Sequence, residues 1–184
     1  MDKRIQRTKR RLSEALINLI LERGYENVTV QDILDKADIG RSTFYSHYED
    51  KDQLLKAGPA NLGVVLFEQR NSLNGESAGQ GINFVNLFKH VSANRRLAKA
   101  MLGKKSGNII FEVFENRISS VVKEKYQPRF SNSKKDKIML GYLAQSAASA
   151  VTCFLRRWVD DDFIFTPEEM SLRCQKVLEA MFNA

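Results

Sequence analysis

The chain is expected to be all-α, and three observations lead there. Apolar residues recur at three- and four-residue spacing along most of its 184 residues, the period of an amphipathic helix. Start and stop signals such as Gly24, Thr29, Asp50 and Thr166-Pro167 fall at helix-length intervals. Helix breakers are few, with ten glycines and three prolines. The spacing divides the chain into an N-terminal three-helix domain with a helix-turn-helix over residues 3–58 and a C-terminal helical bundle over residues 59–184.

Ile5, Thr8, Leu12, Ala15-Leu16 and Leu19-Ile20 predict one long helix from Lys3 to Arg23, closed by Gly24. Lys3, Arg4, Arg7, Lys9, Arg10 and Arg11 stand against Asp2 before the first leucine, a local excess of five. From there to Ala57 the balance reverses, with five basic residues against nine acidic. The positive charge is therefore an N-terminal arm, suited to phosphate or minor-groove contact.

The stretch Thr29 to Leu55 organises the head. Thr29 with Asp32 forms a variant capping box, and Ile33, Leu34 and Ala37 give the capped helix its apolar contacts. Asp38-Ile39-Gly40 interrupts it, with Gly40 expected to supply the backbone freedom for the turn. In Arg41 to Tyr48, Phe44 points inward and Arg41, Ser42, Thr43, Tyr45 and His47 are left outward. Asp50 caps the next helix, with Gln53 three places on.

An α-helix fits the DNA major groove, where side chains near its N-terminus meet base edges. Arg41 offers a bidentate fork to guanine, and Thr43 suits a thymine methyl or a phosphate. Tyr45 and His47 reach phosphates or bases, while Lys51 and nearby backbone N–H groups suit one phosphate. Spacing alone also fits a polar helical corner with no ligand.

The run Ile39-Gly40-Arg41-Ser42-Thr43-Phe44-Tyr45-Ser46-His47-Tyr48, then Asp50-Lys51 and Leu54-Leu55, resembles the signature of TetR-type bacterial repressors. Gly24-Tyr25 matches as well. The resemblance covers about the first sixty residues and spans three helices. It implies an all-helical homodimer whose recognition helices read a palindromic operator in double-stranded DNA. Carried over position by position, it places DNA contacts at Thr29, Gln31, Arg41, Ser42, Thr43, Tyr45, His47 and Lys51. Arg41 and Ser42 stand where members differ most, which makes them the expected source of specificity. It also implies that the C-terminal bundle binds an effector and dimerises through its last two long helices.

Beyond Asp50, Leu54-Leu55, Leu62 and Val65-Leu66 predict a helix towards Arg70, with a bend at Gly58-Pro59. Asn71 to Gly81 reads as a loop. Short helices are expected around Phe84 to Val91 and Asn94 to Leu102, and a longer one from Ile109 to Tyr126. Phe111 falls off the apolar stripe of that longer helix. Ile138 to Val159 is the strongest core helix, with a small-residue row at Gly141, Ala144, Ala147-Ala148 and Ala150-Val151. Thr166-Pro167-Glu168-Glu169 opens the last helix with a cap, an N1 proline and a capping-box glutamate. Phe84, Phe88, Phe111, Phe114, Tyr142, Phe154 and Trp158 are candidates for core packing or for lining an apolar effector pocket.

A net charge of +7 suits a partner carrying phosphates. No run approaches the ~20 apolar residues that span a bilayer, and the charged N-terminus reads as no secretory signal, so a cytoplasmic, non-membrane protein is expected. Cys153 and Cys174 read as buried small hydrophobes, and two distant histidines argue against a metal site. Neither a nucleophile with a base, a carboxylate pair nor a phosphate loop stands out, so no enzyme and no cofactor are expected beyond a small-molecule effector. The expected function is an effector-released transcriptional repressor; the alternative is a protein-binding coregulator without its own operator.

Overall fold

The computed structural model describes residues 3–58, 84–102 and 104–183, and every regular element among them is helical. The chain divides into two compact units, Met1–Asn61 with Arg96–Ile110 and Leu62–Arg95 with Phe111–Ala184.

The first unit opens with α1 (Lys3–Arg23). Its apolar stripe buries Leu12, Ala15, Leu16, Leu19 and Ile20, while Ile5, placed on the stripe by spacing, is 37% exposed. Gly24 then takes a positive φ (77°, with ψ 152°) that glycine adopts freely, and its N–H donates to Ile20 O at 2.9 Å. That is a glycine stop. A 3-10 turn (Tyr25–Asn27) leads to α2 (Val30–Ala37), α3 (Arg41–Tyr45) and α4, described over residues 51–58. α1 packs on α2, and Ile33, Leu34, Ala37, Phe44, Leu54 and Leu55 are all buried in this unit. Together they form the core of this unit. Tyr25, Val28 and Tyr48 join them.

The remaining helices are α5 (Val85–Ala93), α6 (Arg95–Met101), α7 (Lys104–Tyr126), α8 (Lys134–Asp160) and α9 (Pro167–Asn183). In the second unit α9 packs against both α5 and α8. Trp158 lies at its centre, edge-on to Phe88 (5.2 Å between centroids) and Phe163 (4.9 Å), and its indole N–H donates to Phe165 O at 2.9 Å. The buried indole is thus both packed and satisfied. Tyr126 stacks on Phe182 at 3.8 Å, and the Phe84 N–H donates to Ser171 Oγ at 3.1 Å. The Ser133 hydroxyl caps α8 by accepting from the Asp136 N–H (3.1 Å). Thr166 and Glu169 form the anticipated reciprocal box at α9, with the Thr166 N–H donating to Glu169 Oε2 (2.8 Å) and the Glu169 N–H to Thr166 Oγ1 (3.2 Å). Ala144, Ala147 and Ala148 have no exposed surface, so the small-residue row serves close packing.

Three expectations about the second unit change. Cys153 is exposed, because it sits roughly 200° around α8 from the buried Val151. Cys174 is buried, and burial pushes its thiol up to about 12. Alkylation of Cys174 should therefore need unfolding, to be checked by mass spectrometry after labelling with and without denaturant. Tyr142, a candidate for core packing or for lining a pocket, is 67% exposed and so takes no part in the core. Phe111 is buried beneath the Arg156 guanidinium, which lies 4.4 Å from its ring centroid, so it faces a neighbouring helix. Finally, α8 alone among the described residues is long and apolar enough to cross a membrane by length and composition, although no such run was expected. Its row Leu140, Ala144, Ala148, Val151, Leu155 and Trp158 is buried in the unit, so one face of α8 packs inward. The bend at Gly58-Pro59, the helix continuing through Leu62 and Val65-Leu66, and the loop Asn71 to Gly81 lie outside the described residues, Gly58 itself excepted.

Candidate nucleic-acid interface

The interface is assembled from caps. The Thr29 hydroxyl accepts from the Asp32 N–H (3.2 Å) and donates to Asp32 Oδ2 (2.6 Å), which also accepts the Thr29 N–H (2.8 Å). Arg23 adds an ion pair to the same carboxylate at 2.7 Å, joining the end of α1 to the start of α2. The Thr29 hydrogen bonds, and after them Arg23, hold the Asp32 carboxyl well below its ordinary range. A depressed carboxyl stabilises the fold above its unfolded pKa, and that contribution fades as pH falls through the folded one.

Between α2 and α3 the turn differs from the expected one. Asp38 takes the left-handed conformation (φ 49°, ψ 56°), while Gly40 is extended (φ −68°, ψ 149°) with nothing within 4 Å of an added Cβ. Aspartate tolerates that conformation better than most side chains. Arg11 of α1 braces it, reaching Asp38 O and Asp38 Oδ2, each at 3.3 Å. Gly40 has no steric requirement here.

α3 is only five residues long, and one residue anchors it. Phe44 has no exposed surface and packs edge-on against Tyr45 (5.3 Å) and tilted against Tyr48 (5.8 Å). With Phe44 inward, Arg41, Ser42, Thr43 and Tyr45 are exposed, Tyr45 by 51%. His47 is half-buried, 6.4 Å from the Tyr48 ring. Thr29 and Gln31 are exposed at the start of α2. Arg41 Nη2 donates to Gln31 Oε1 at 2.6 Å, which brings two of the candidate residues together across the helix pair.

Lys51 has a second task that sequence reasoning missed. Its ammonium donates to Val28 O (2.6 Å) and Tyr25 O (3.0 Å) and lies 4.4 Å from the Tyr25 ring centroid. The Tyr25 hydroxyl in turn donates to the Asp52 carboxylate, and burial first, then Asp52, drive its phenol far above its ordinary range. Two of the three ammonium protons are thus committed to the protein, leaving one for a phosphate. At the head of α4, the Gln53 N–H donates to Asp50 Oδ1 (2.7 Å) as expected of a cap, while Gln53 Oε1 accepts from Glu49 N–H (2.8 Å).

Residues 12–57 match the model of the bacterial regulatory proteins of the tetR family, and residues 82–180 match that of a transcriptional regulator C-terminal region. The chain belongs to the TetR family. It is therefore a helix-turn-helix transcriptional regulator, with the DNA-binding head at its N-terminus. An uncharacterized HTH-type regulator of Bacillus subtilis strain 168, YxbF, is 39% identical over 57 residues, which is 30% of this chain and 15% of that relative. The fold is shared with a TetR-family transcriptional regulator from Syntrophomonas wolfei (TM-score 0.67, 19% identity, 97% of this chain and 96% of that one). It is also shared with Thermus thermophilus FadR, a TetR-family repressor in complex with lauroyl-CoA (TM-score 0.62, 18% identity, 92% of each chain).

Proposed function

We propose that this TetR-family regulator is a cytoplasmic homodimer that represses by binding a palindromic operator and leaves it when a small-molecule effector binds the second unit. The observation that supports operator reading is the presentation of α3, whose buried Phe44 turns Arg41, Ser42, Thr43 and Tyr45 outward together. In this reading α3 enters the major groove. Arg41 reads a base, with Ser42 and Thr43 beside it, while Thr29, Tyr45, His47 and Lys51 contact phosphates or base edges and Gln31 stands against Arg41 at the same surface. The coregulator alternative is not favoured, because a head that reads no DNA has no use for an exposed polar row held this way.

Dimerisation is supported by the apolar surface of the last two helices and the turn joining them. Ile138, Met139, Tyr142, Ile164, Phe165 and Leu172 are all exposed there. An open depression of about 480 Å³ adds Phe154, Trp158 and Met170 between Arg157 and Arg173. A second copy covering this surface would join two heads in one molecule, as a palindromic operator requires. For the effector we favour an apolar molecule, in keeping with the acyl-CoA held by the Thermus neighbour. It would act only through its differential affinity for the two arrangements of the dimer.

Selection of bound sequences from random duplex DNA, followed by titration with candidate acyl-CoA thioesters, tests the whole reading. A palindromic consensus and release by ligand are expected; an absence of sequence preference would favour the coregulator. Arg41→Ala should weaken the preferred site by about 1–3 kcal/mol while changing poor sites less, the behaviour of a base contact. Equal losses on every sequence would make Arg41 a phosphate contact.

A further inference from the structure

The structure assigns Asp35 and Gln31 to positioning Arg41: a carboxylate, an amide and a guanidinium joined in series so that the arginine reaches DNA already aimed. This rests on the proposal that Arg41 reads a base. Gln31 Nε2 donates to Asp35 Oδ1 at 2.7 Å, four residues on along α2, and Gln31 Oε1 accepts from Arg41 Nη2 at 2.6 Å, the first residue of α3. The two bonds determine each other. Reversing the amide would set its NH2 against the guanidinium and its carbonyl against the carboxylate, so Asp35 dictates that an acceptor faces Arg41. Arg41 gives up one of five N–H donors, and a bidentate contact with guanine needs only two.

The consequence is preorganisation. A free arginine side chain samples many rotamers, and ordering it on binding works against affinity. An Arg41 already held across the α2–α3 corner loses less on meeting its base and discriminates better against misplaced partners. Asp35 itself faces the opposite way electrostatically. A carboxylate on a surface that meets phosphates opposes binding to every sequence, so its contribution is to selectivity and not to overall affinity.

The experiment compares wild type, Arg41→Ala, Gln31→Ala, Asp35→Ala and Asp35→Asn by selection from random duplex DNA. Affinities for the consensus and for its single-base variants follow, with thermal melts confirming that each variant folds. Arg41→Ala should erase one guanine preference per half-site. Gln31→Ala and Asp35→Ala should weaken that same preference, lowering the ratio of consensus to substituted-site affinity by roughly 3- to 10-fold, part of what a bidentate contact supplies. Asp35→Ala should do so without loss of affinity for random duplex, a combination that a merely structural role would not produce. Asp35→Asn, which keeps an acceptor oxygen, should retain the preference. If Arg41→Ala loses a guanine preference that Gln31→Ala and Asp35→Ala keep, the relay is overturned while base reading stands. If Gln31→Ala loses a different base position, Gln31 reads DNA itself and the relay is equally overturned. If Arg41→Ala changes no position, the base-reading proposal fails and the relay fails with it.

Discussion

Phe44→Ala should cost the head about 3–5 kcal/mol, the usual penalty for emptying a fully buried phenylalanine site. Phe44 is completely buried and contacts both Tyr45 and Tyr48. α3 spans five residues, far below the ~12 at which an isolated helix becomes even marginal in water. Its shape therefore depends on tertiary anchoring. The loss is a large share of the ~5–15 kcal/mol that holds a typical domain folded. Operator binding should disappear with it, even though Phe44 touches no DNA in the proposed complex. Urea titration followed by circular dichroism, beside a gel-shift assay, checks both parts. A variant that melts like wild type would show that the anchor of α3 lies elsewhere. Tyr45→Ala makes the contrast, since Tyr45 is half-exposed and its loss should weaken DNA binding while leaving most of the stability.

The sequence made the head legible because its rules are local. Capping boxes depend on residues three apart, and Thr29–Asp32 and Thr166–Glu169 both form as their spacing implies. The stripe of α1 and the anchor at Phe44 follow from helical period, and the structure buries them. What escaped were the long-range pairs. Nothing in the string links Arg11 to Asp38 or Lys51 to the carbonyls of Tyr25 and Val28, which lie 23 to 27 positions away. Glycine is the usual left-handed residue, which points to Gly40 for the turn, yet Asp38 occupies that conformation with Arg11 bonded to it. Gln31 and Asp35 could have been paired from their i, i+4 spacing. Their link to Arg41 depends on how α2 crosses α3. In the second unit the period of α8 was correct, but which side met α9 was not encoded locally. Cys153, which reads as buried from its apolar neighbours, consequently lies outside.

Lys51→Met is the substitution on which the sequence and the structure make different demands. As a phosphate contact alone, Lys51 could be replaced without loss of stability. The structure instead makes it a staple between α4 and the turn after α1, through two charge-assisted hydrogen bonds and a ring contact. Methionine keeps the apolar stem but leaves the Val28 and Tyr25 carbonyls without that donor. Hydrogen bonds to charged groups contribute ~1.5–3 kcal/mol each, and solvent can partly replace the ammonium at this half-exposed site. The expected net loss is therefore about 1–3 kcal/mol. The remaining ammonium proton is available to a phosphate, so the slope of log affinity against log salt should also flatten by roughly 0.9. Both numbers come from one variant, the first from urea unfolding and the second from binding at several salt concentrations well below the midpoint. Lost stability with an unchanged salt slope would leave Lys51 a staple that never meets DNA. Unchanged stability with a flatter slope would mean that the ammonium leaves the two carbonyls for the phosphate at little cost.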